Sequence, residues 1–525
     1  MKFHRLATGI TGAVIAACLL VAAAARPARA YDPATTHAGL TQQAAIASAL
    51  HRVLALRLAR PLGVFEPLAL HPELLATDER RELMARLMAL DPAGGYRPGD
   101  DGVAPALAFV VAGSVIAKTP PERVQNMFFD PSTGAGLRDD AAIDGFVHAL
   151  RLFADAGGST RQLATGAGFA LHGEPSLKWL DDPLNDGGLA VFQQQLERAL
   201  VEPDPAARSS ALARALMALG GVLTVLEDAG NPPQVRNDFR ATYLKGRASS
   251  PFDRSSRFEH AVADFYGWGG IPSPRVVVRR PNVRSYFTAA DGQGLADRTQ
   301  RRFFSEGTVP RDGVIEHDTT AADVVRDARQ SLTYALPSIE HLDLRHLGDR
   351  HYVMAIDGPG DVLRGTAADG SSSPPATAAA PRRILAYERV AGRVRFFLDG
   401  RVHADTARVL LPEIAGYAAG LIDHLLRAEV QLTREGATVR ANVMAPAGPI
   451  QGGKLRIFAD DAHGQRRELS VRVPQHGDQD ADQSAVGGVT VVVPGDARRI
   501  AAVLRGHDDA GPVVAFGELA LPARR

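Results

Sequence analysis

The sequence predicts a mainly α N-terminal domain followed by a C-terminal all-β sandwich. Apolar residues recur at three- and four-residue steps up to about residue 310, whereas from Glu429 onward they alternate with a period of two. The 525 residues are also enough for two or three domains with sizeable cores. At 45% apolar and 22% charged residues, the composition is that of an ordinary globular protein. Basic and acidic residues balance at 59 each, so bulk charge indicates neither nucleic acid nor an anionic membrane as a partner.

The N-terminus reads as a signal peptide over residues 1–30. Lys2, His4 and Arg5 precede an apolar segment from about Ile10 to Ala25, and Ala28-Arg29-Ala30 closes it with a small-x-small cleavage site. Cleavage after Ala30 makes Tyr31 the mature N-terminus and places the protein in the periplasm or outside the cell. Ile15-Ala16-Ala17-Cys18 also resembles a lipobox, but the apolar run continues past Cys18, which favours ordinary cleavage. Cys18 is the single cysteine, so the mature chain makes no disulfide and no cysteine metal site. No later stretch approaches the roughly 18 uninterrupted apolar residues of a membrane span.

Residues 31–310 form the expected helical domain. Leu40, Ala44, Ala47 and Leu50 mark the first face, with helical periodicity carried towards Ala93 and a second helix over Asp78–Leu90. Further helices are predicted at Ala104–Ile116, Ala141–Ala156, Leu189–Val201, Ala206–Leu226, Phe258–Tyr266 and Leu295–Phe304, lengths that suit a bundle. Residues 311–406 read as a mixed insertion, with strands at His351–Ile356 and Ile384–Leu398 around a low-complexity loop, 365–380. A helix over 407–427 packs back on the helical domain. Residues 428–525 carry seven short alternating runs, the pattern of a β-sandwich.

One stretch concentrates the chemistry. In Leu219–Phe239 an apolar run ends on Glu227-Asp228, Asn231-Pro232-Pro233 stops the helix, and Gln234-Val235-Arg236-Asn237-Asp238 follows. Two carboxylates beside an apolar face are costly to bury unless paired. They are either salt-bridging and capping groups or the acids of a metal or catalytic site.

Several stretches together resemble the secreted zinc-dependent phospholipase C family, whose helical fold is shared with the fungal single-strand nucleases. They are Thr36-His37 shortly after the mature N-terminus, Gly113 with Asn126-Met127-Phe128-Phe129-Asp130-Pro131, and Leu219–Asp238. Thr299–Ser305 and Leu410-Leu411-Pro412 with Gly416-Tyr417 look like later segments of long bacterial members. The resemblance implies a phospholipase C-like helical bundle and a zinc cluster held by the N-terminal amine, histidines and carboxylates. Its His-x-x-x-Asp pair places imidazole and carboxylate on one helix face, so both reach one ion. A zinc-bound hydroxide then attacks a phosphodiester.

Carried over position by position, most ligands are replaced. His37 and Asp228 stand where the family has ligands, and Tyr31 can supply an amine. Met127, Thr224 and Gln234 stand in place of histidines, and the acidic pair falls near Ala117-Lys118. A thioether suits softer ions, and a hydroxyl or amide is a weak neutral ligand. His260-x-x-x-Asp264 has the spacing of the last helical pair and completes the residual set of Tyr31, His37, Asp228, His260 and Asp264. Asp228 is expected to pair with Arg236 or Lys118, and a cation at Lys118 would neutralise the remaining carboxylates. His148, His172, His260 and His424 otherwise read as surface or capping residues, and Arg236-Asn237-Asp238 as structural.

The expectation is therefore a secreted protein with a degenerate zinc site and no cofactor. It is non-catalytic and acts by binding lipid, a phosphodiester headgroup or another envelope protein. The alternative is a metal-dependent phosphodiesterase using the reduced residual set with zinc. No Gly-x-Ser-x-Gly supports a serine triad.

Overall fold

The structure, a computed structural model, describes residues 33–71, 77–78, 102–119, 121–137, 173–238, 241, 256–267, 269–314, 323–324, 350–356, 362–366, 381–390, 392–469 and 489–522. Cys18, Tyr31, His148, His172, the helix expected over Ala141–Ala156 and most of those over Asp78–Leu90 and the loop 365–380 lie outside these residues.

Helices come first. A turn of π-helix, Pro33–His37, runs into α1 (Ala38–Ala47) and the single turn α2 (Leu50–Arg52). A π-helical turn, Val53–Arg57, extends this face, and among the described residues the helical periodicity then breaks between Leu58 and His71. Beyond Leu58 the chain turns at Pro61 and forms β1 (Pro67–Ala69), paired with β2 (Val103–Pro105). Pro61 and Pro67 each withhold an N–H and resist helix, and this local chemistry outweighs the apolar spacing.

Next come α3 (Ala106–Ile116), α4 (Ser176–Asp181), α5 (Leu189–Val201) and α6 (Pro205–Ala229). Helix α6 is the axis of the core: its residues are almost all buried from Ser210 on, and it packs most extensively on α3 and α5. Asp204 caps it by accepting the Ala207 N–H at 2.7 Å, with Pro205 in the first turn where a missing N–H is harmless. Among the described residues it is the one helix long and apolar enough to cross a membrane, and it lies inside the protein.

A single turn, α7 (Pro232–Val235), follows, because a proline that cannot continue one helix can begin another. Three more helices complete this part: α8 (Arg257–Tyr266), α9 (Val283–Phe287) and α10 (Leu295–Arg302).

The insertion forms a five-stranded sheet in the order β3–β7–β6–β4–β5. Its strands are β3 (Gly313–Val314), β4 (Arg350–Ile356), β5 (Val362–Thr366), β6 (Pro381–Val390) and β7 (Arg393–Phe397). The sheet closes a small core of its own around Leu385, Ala386 and Val394.

Helix α11 (Gly400–Leu425) then returns to the bundle and packs on α1, α6 and α8. It begins seven residues before the start expected at Ala407, because Asp399 caps it by accepting the N–H groups of Arg401 and Val402. Pro412 therefore sits in the helix interior rather than near its start.

Helices are thus followed by strands, as expected. The C-terminal strands are β8 (Glu429–Glu435), β9 (Thr438–Met444), β10 (Arg456–Asp460), β11 (Arg466–Leu469), β12 (Val489–Val492), β13 (Arg499–Asp508) and β14 (Gly511–Ala520). They make one curled seven-stranded sheet, ordered β11–β10–β13–β14–β8–β9–β12. A single parallel pair, Phe516 with Glu429, joins its two halves. Val430, Val439 and Val491 from one half share a core with Ile457, Ile500 and Ala515 from the other. Alternate residues on the central strands, Phe458, Ala501, Val503 and Phe516, belong to the helical core instead. These strands are buried on both faces and clamp the sheet to α5.

Candidate functional site

The chemistry of Glu227-Asp228 is set by how closely α3 and α6 approach. Gly113 and Gly220 face each other where the helices cross. A Cβ on Gly113 would lie 1.9 Å from the Met217 carbonyl oxygen, and one on Gly220 2.0 Å from that of Val110. Only glycine permits this contact. One helical turn on along α6, the Thr224 hydroxyl donates to the carbonyl of Ser114, next to Gly113 on α3, at 3.0 Å and to that of Gly220 at 3.2 Å. One further turn brings Lys118 and Asp228 together.

The result is a buried polar chain. The Lys118 ammonium donates to Asp228 Oδ1 at 2.8 Å and lies 2.8 Å from Oδ2. His37 sits between the two acids, its Nδ1 hydrogen-bonded to Glu227 Oε2 and its Nε2 3.3 Å from Asp228 Oδ1. The Thr41 hydroxyl donates to Glu227 Oε1 at 2.7 Å. His37, Glu227 and Asp228 are wholly inaccessible, and Lys118 nearly so.

Burial pushes each group towards its neutral form, and the partners decide the outcome. At Asp228, Lys118 and His37 overcome burial and hold the carboxyl below its usual range. At Glu227 burial prevails over the hydrogen bonds from His37 and Thr41, and the carboxyl is pushed up. At His37 burial and the Lys118 charge oppose protonation, but Asp228 and Glu227 outweigh them and the imidazole is raised. Lys118 and Asp228 form a buried ion pair, and both partners of the His37–Glu227 hydrogen bond are shifted towards holding a proton.

The expected positions fall out as follows. His37, Asp228 and Lys118 come together, and of the two cations expected beside Asp228, Lys118 bonds it. Thr224 lies alongside but faces backbone carbonyls. Met127 is buried in the apolar core, and Ala117 is buried. The Gln234 side-chain amide is 1% exposed and, among the described residues, neither its nitrogen nor its oxygen has a partner. Helix α8 turns a different residue inward from the His260 and Asp264 pair. Asp264 is exposed and His260 half-buried, whereas Glu259 is buried, accepting from Asn231 Nδ2 at 2.5 Å and from the Ser256 backbone N–H. The signal for Glu259 was present as Ser256-x-x-Glu259, a capping box whose glutamate packs inward. Arg236 and Asp238 are structural, the guanidinium bonding Thr308 and the Gln300 carbonyl, the carboxylate accepting from Ala241 and Gly307. His424, read as a surface or capping residue, is buried at 8% exposure, because α11 packs on Tyr286 at that point.

No family model matches the chain, and no curated protein does. Among solved structures the chain is similar to the Alpha Toxin from Clostridium Absonum, at 9% sequence identity over 95% of this chain and 100% of that one, with a TM-score of 0.23. A score that low does not show a shared fold.

The residues present do not fit a zinc cluster. Both ring nitrogens of His37 face carboxylates of the protein, and an ammonium covers Asp228. The three positions that would add imidazoles hold a thioether, a hydroxyl and an amide. Among the described residues no three His, Cys, Asp or Glu side chains are grouped to hold a metal ion.

Proposed function

We propose that this chain is a secreted or periplasmic phospholipase C-like protein whose zinc site is degenerate, and that it works by binding rather than by catalysis. The observation that carries this reading is the Lys118 ammonium, 2.8 Å from both oxygens of Asp228. A fixed internal cation balances the carboxylate that a metal ion would otherwise balance. With His37 engaged on both sides, the site offers neither an open coordination position nor a nucleophile to activate. Buried charge of this kind is retained as a packing and positioning device. The function then lies on the surface, in contact with lipid, a phosphodiester headgroup or another envelope protein.

Thermal unfolding with added zinc and with a chelator tests the reading, alongside hydrolysis of a chromogenic phosphodiester. A metal bound only by the folded state, supplied at a hundred times its Kd, stabilises by about 2.7 kcal/mol. The expected result is no stabilisation by zinc, no loss with chelator and no hydrolysis above background. Zinc-dependent hydrolysis abolished by His37→Ala would establish the alternative, a phosphodiesterase with a reduced metal site.

A further inference from the structure

A cleft of about 460 Å³ lies between the helical core and the C-terminal sheet, away from the buried chain of His37, Glu227, Asp228 and Lys118. Segments far apart in sequence line it: Arg52 and Arg57 near α2, Arg279 and Arg280 before α9, the end of α11 with Arg427, and the sheet loops at Pro446, Ala447 and Ala510.

Three of the five arginines serve the fold. Arg57 pairs with Glu429 at 2.7 Å and caps the carbonyls of Leu426 and Ala428. Arg280 grips Asp291 at 2.9 and 2.8 Å. Arg427 holds Asp508 at 2.8 and 2.6 Å. Arg52 and Arg279 are exposed and, among the described residues, make no direct hydrogen bond or ion pair, although both lie within the electrostatic reach of Asp423. Asp423, the one acid among the described lining residues, accepts the Ala49 N–H on Oδ1 at 2.6 Å. Five guanidinium groups therefore stand against four carboxylates (Glu429, Asp291, Asp508 and Asp423), leaving one positive charge in excess.

A second observation points the same way. His424 lines the cleft, is 8% exposed, and its Nε2 has no partner among the described residues. Burial and the nearby Arg427 hold its pKa at about 4, so it is neutral at physiological pH and has an N–H to offer. Ala49, Val53, Leu426 and Pro446 give the remaining wall an apolar character suited to a carbon skeleton.

We propose that this cleft binds a phosphate monoester, its oxyanion held by the Arg52 and Arg279 guanidinium groups and the His424 imidazole. A guanidinium fork matches a phosphate oxygen pair, and two forks with one neutral donor surround a tetrahedral anion without further desolvated charge. The inference rests on the cleft alone and stands whether or not the buried site binds zinc.

The test measures binding of the full mature chain at physiological salt to two probes. They are inorganic phosphate by calorimetry, and phosphatidylcholine vesicles containing a minor fraction of phosphatidic acid by sedimentation. Both replaced arginines are exposed, so the double variants Arg52→Glu/Arg279→Glu and Arg52→Gln/Arg279→Gln are expected to keep the wild-type unfolding temperature. Both should weaken binding by about tenfold or more, the equivalent of about 1.4 kcal/mol. Arg275→Glu, an equal charge change at an exposed arginine outside the cleft, should leave it unchanged. Binding of both probes identifies a site for the phosphate group itself, and binding of vesicles alone identifies a lipid headgroup site. No saturable binding of either probe, or an equal loss in Arg275→Glu, overturns the proposal.

Discussion

Two buried charge clusters in this protein are built in different ways. In the C-terminal sheet Arg466 lies bidentate on Asp460, at 2.6 and 2.8 Å, and reaches Glu518 at 2.7 Å and the Leu200 carbonyl. Arg208 on α6 approaches the same Asp460 at 3.7 Å and donates to the carbonyls of Glu202, Pro203 and Gly464. This is an interdomain clamp: planar forks satisfy carboxylates and carbonyls from both sides of a junction. The cluster around Asp228 joins helices of one core and uses a lysine, a point charge without fork geometry, with a histidine between two acids. Around it remain buried polar atoms without partners among the described residues: the Gln234 amide, Asn231 Oδ1 and Thr36 Oγ1. A cluster assembled only for stability would satisfy its members as the arginine clamp does. On the proposed reading, the residue types near Asp228 are those of a ligand site closed by the Lys118 cation.

The comparison can be broken most forcefully at the clamp. Arg466→Leu leaves Asp460 buried without its main cation and Glu518 with Arg499 alone, at 2.9 Å, and should cost about 5 kcal/mol in chemical denaturation. A cost under about 1 kcal/mol would mean that Arg208 and Arg499 sustain the junction.

Lys118→Met should cost somewhat less, about 4 kcal/mol, because a raised His37 can take up a proton and part of the charge. The double variant Lys118→Met/Asp228→Leu should recover at least about 1 kcal/mol relative to the sum of the single variants, since neither charge is then left alone. Strict additivity would show that the pair is not coupled.

A third effect is set by pH. His403 and His424 are pushed down to about 4 from 6.5, chiefly by burial, so the unfolded chain binds protons that the folded chain refuses. Their contribution is present above pH 6.5 and is lost as pH falls towards 4, by up to roughly 3 kcal/mol each. His37 has the opposite sign. Raised above 6.5, it contributes below that pH, and its share is lost as pH rises through its folded value. Unfolding measured between pH 4 and pH 9 should therefore fall on both sides, and His403→Phe should flatten only the acid limb.

The smallest effect belongs to Thr41→Val, which removes the hydroxyl donor to Glu227. It should cost about 1 kcal/mol and raise the Glu227 carboxyl further, leaving the Lys118–Asp228 pair untouched.

Much of the fold was legible because periodicity survives where a helix or strand buries one side. Leu189–Val201 was read to the residue, and α6 to within three residues at its C-terminus. The stretch from Leu58 to Ala69 was misread because apolar residues kept helical spacing while proline chemistry decided the backbone. The early start of α11 was hidden by Asp399, whose cap is visible only once the preceding strand β7 is known to end at Phe397. At the site, the pairing of Lys118 with Asp228 was anticipated from the family resemblance, because helix spacing alone does not say which helices cross. It could not show that Glu227 takes His37, nor that Glu259 rather than His260 and Asp264 faces inward. Which face a short helix presents depends on packing partners from elsewhere in the chain. The arginine cleft was illegible for the same reason, its side chains coming from residues 52, 279 and 427.

The most direct measurement is zinc content. Correctly processed mature protein, exposed to zinc and then dialysed, should hold well below one zinc per chain by elemental analysis. One tightly held zinc per chain, lost in His37→Ala or Asp228→Ala, would contradict the claim that Lys118 has taken the place of a metal.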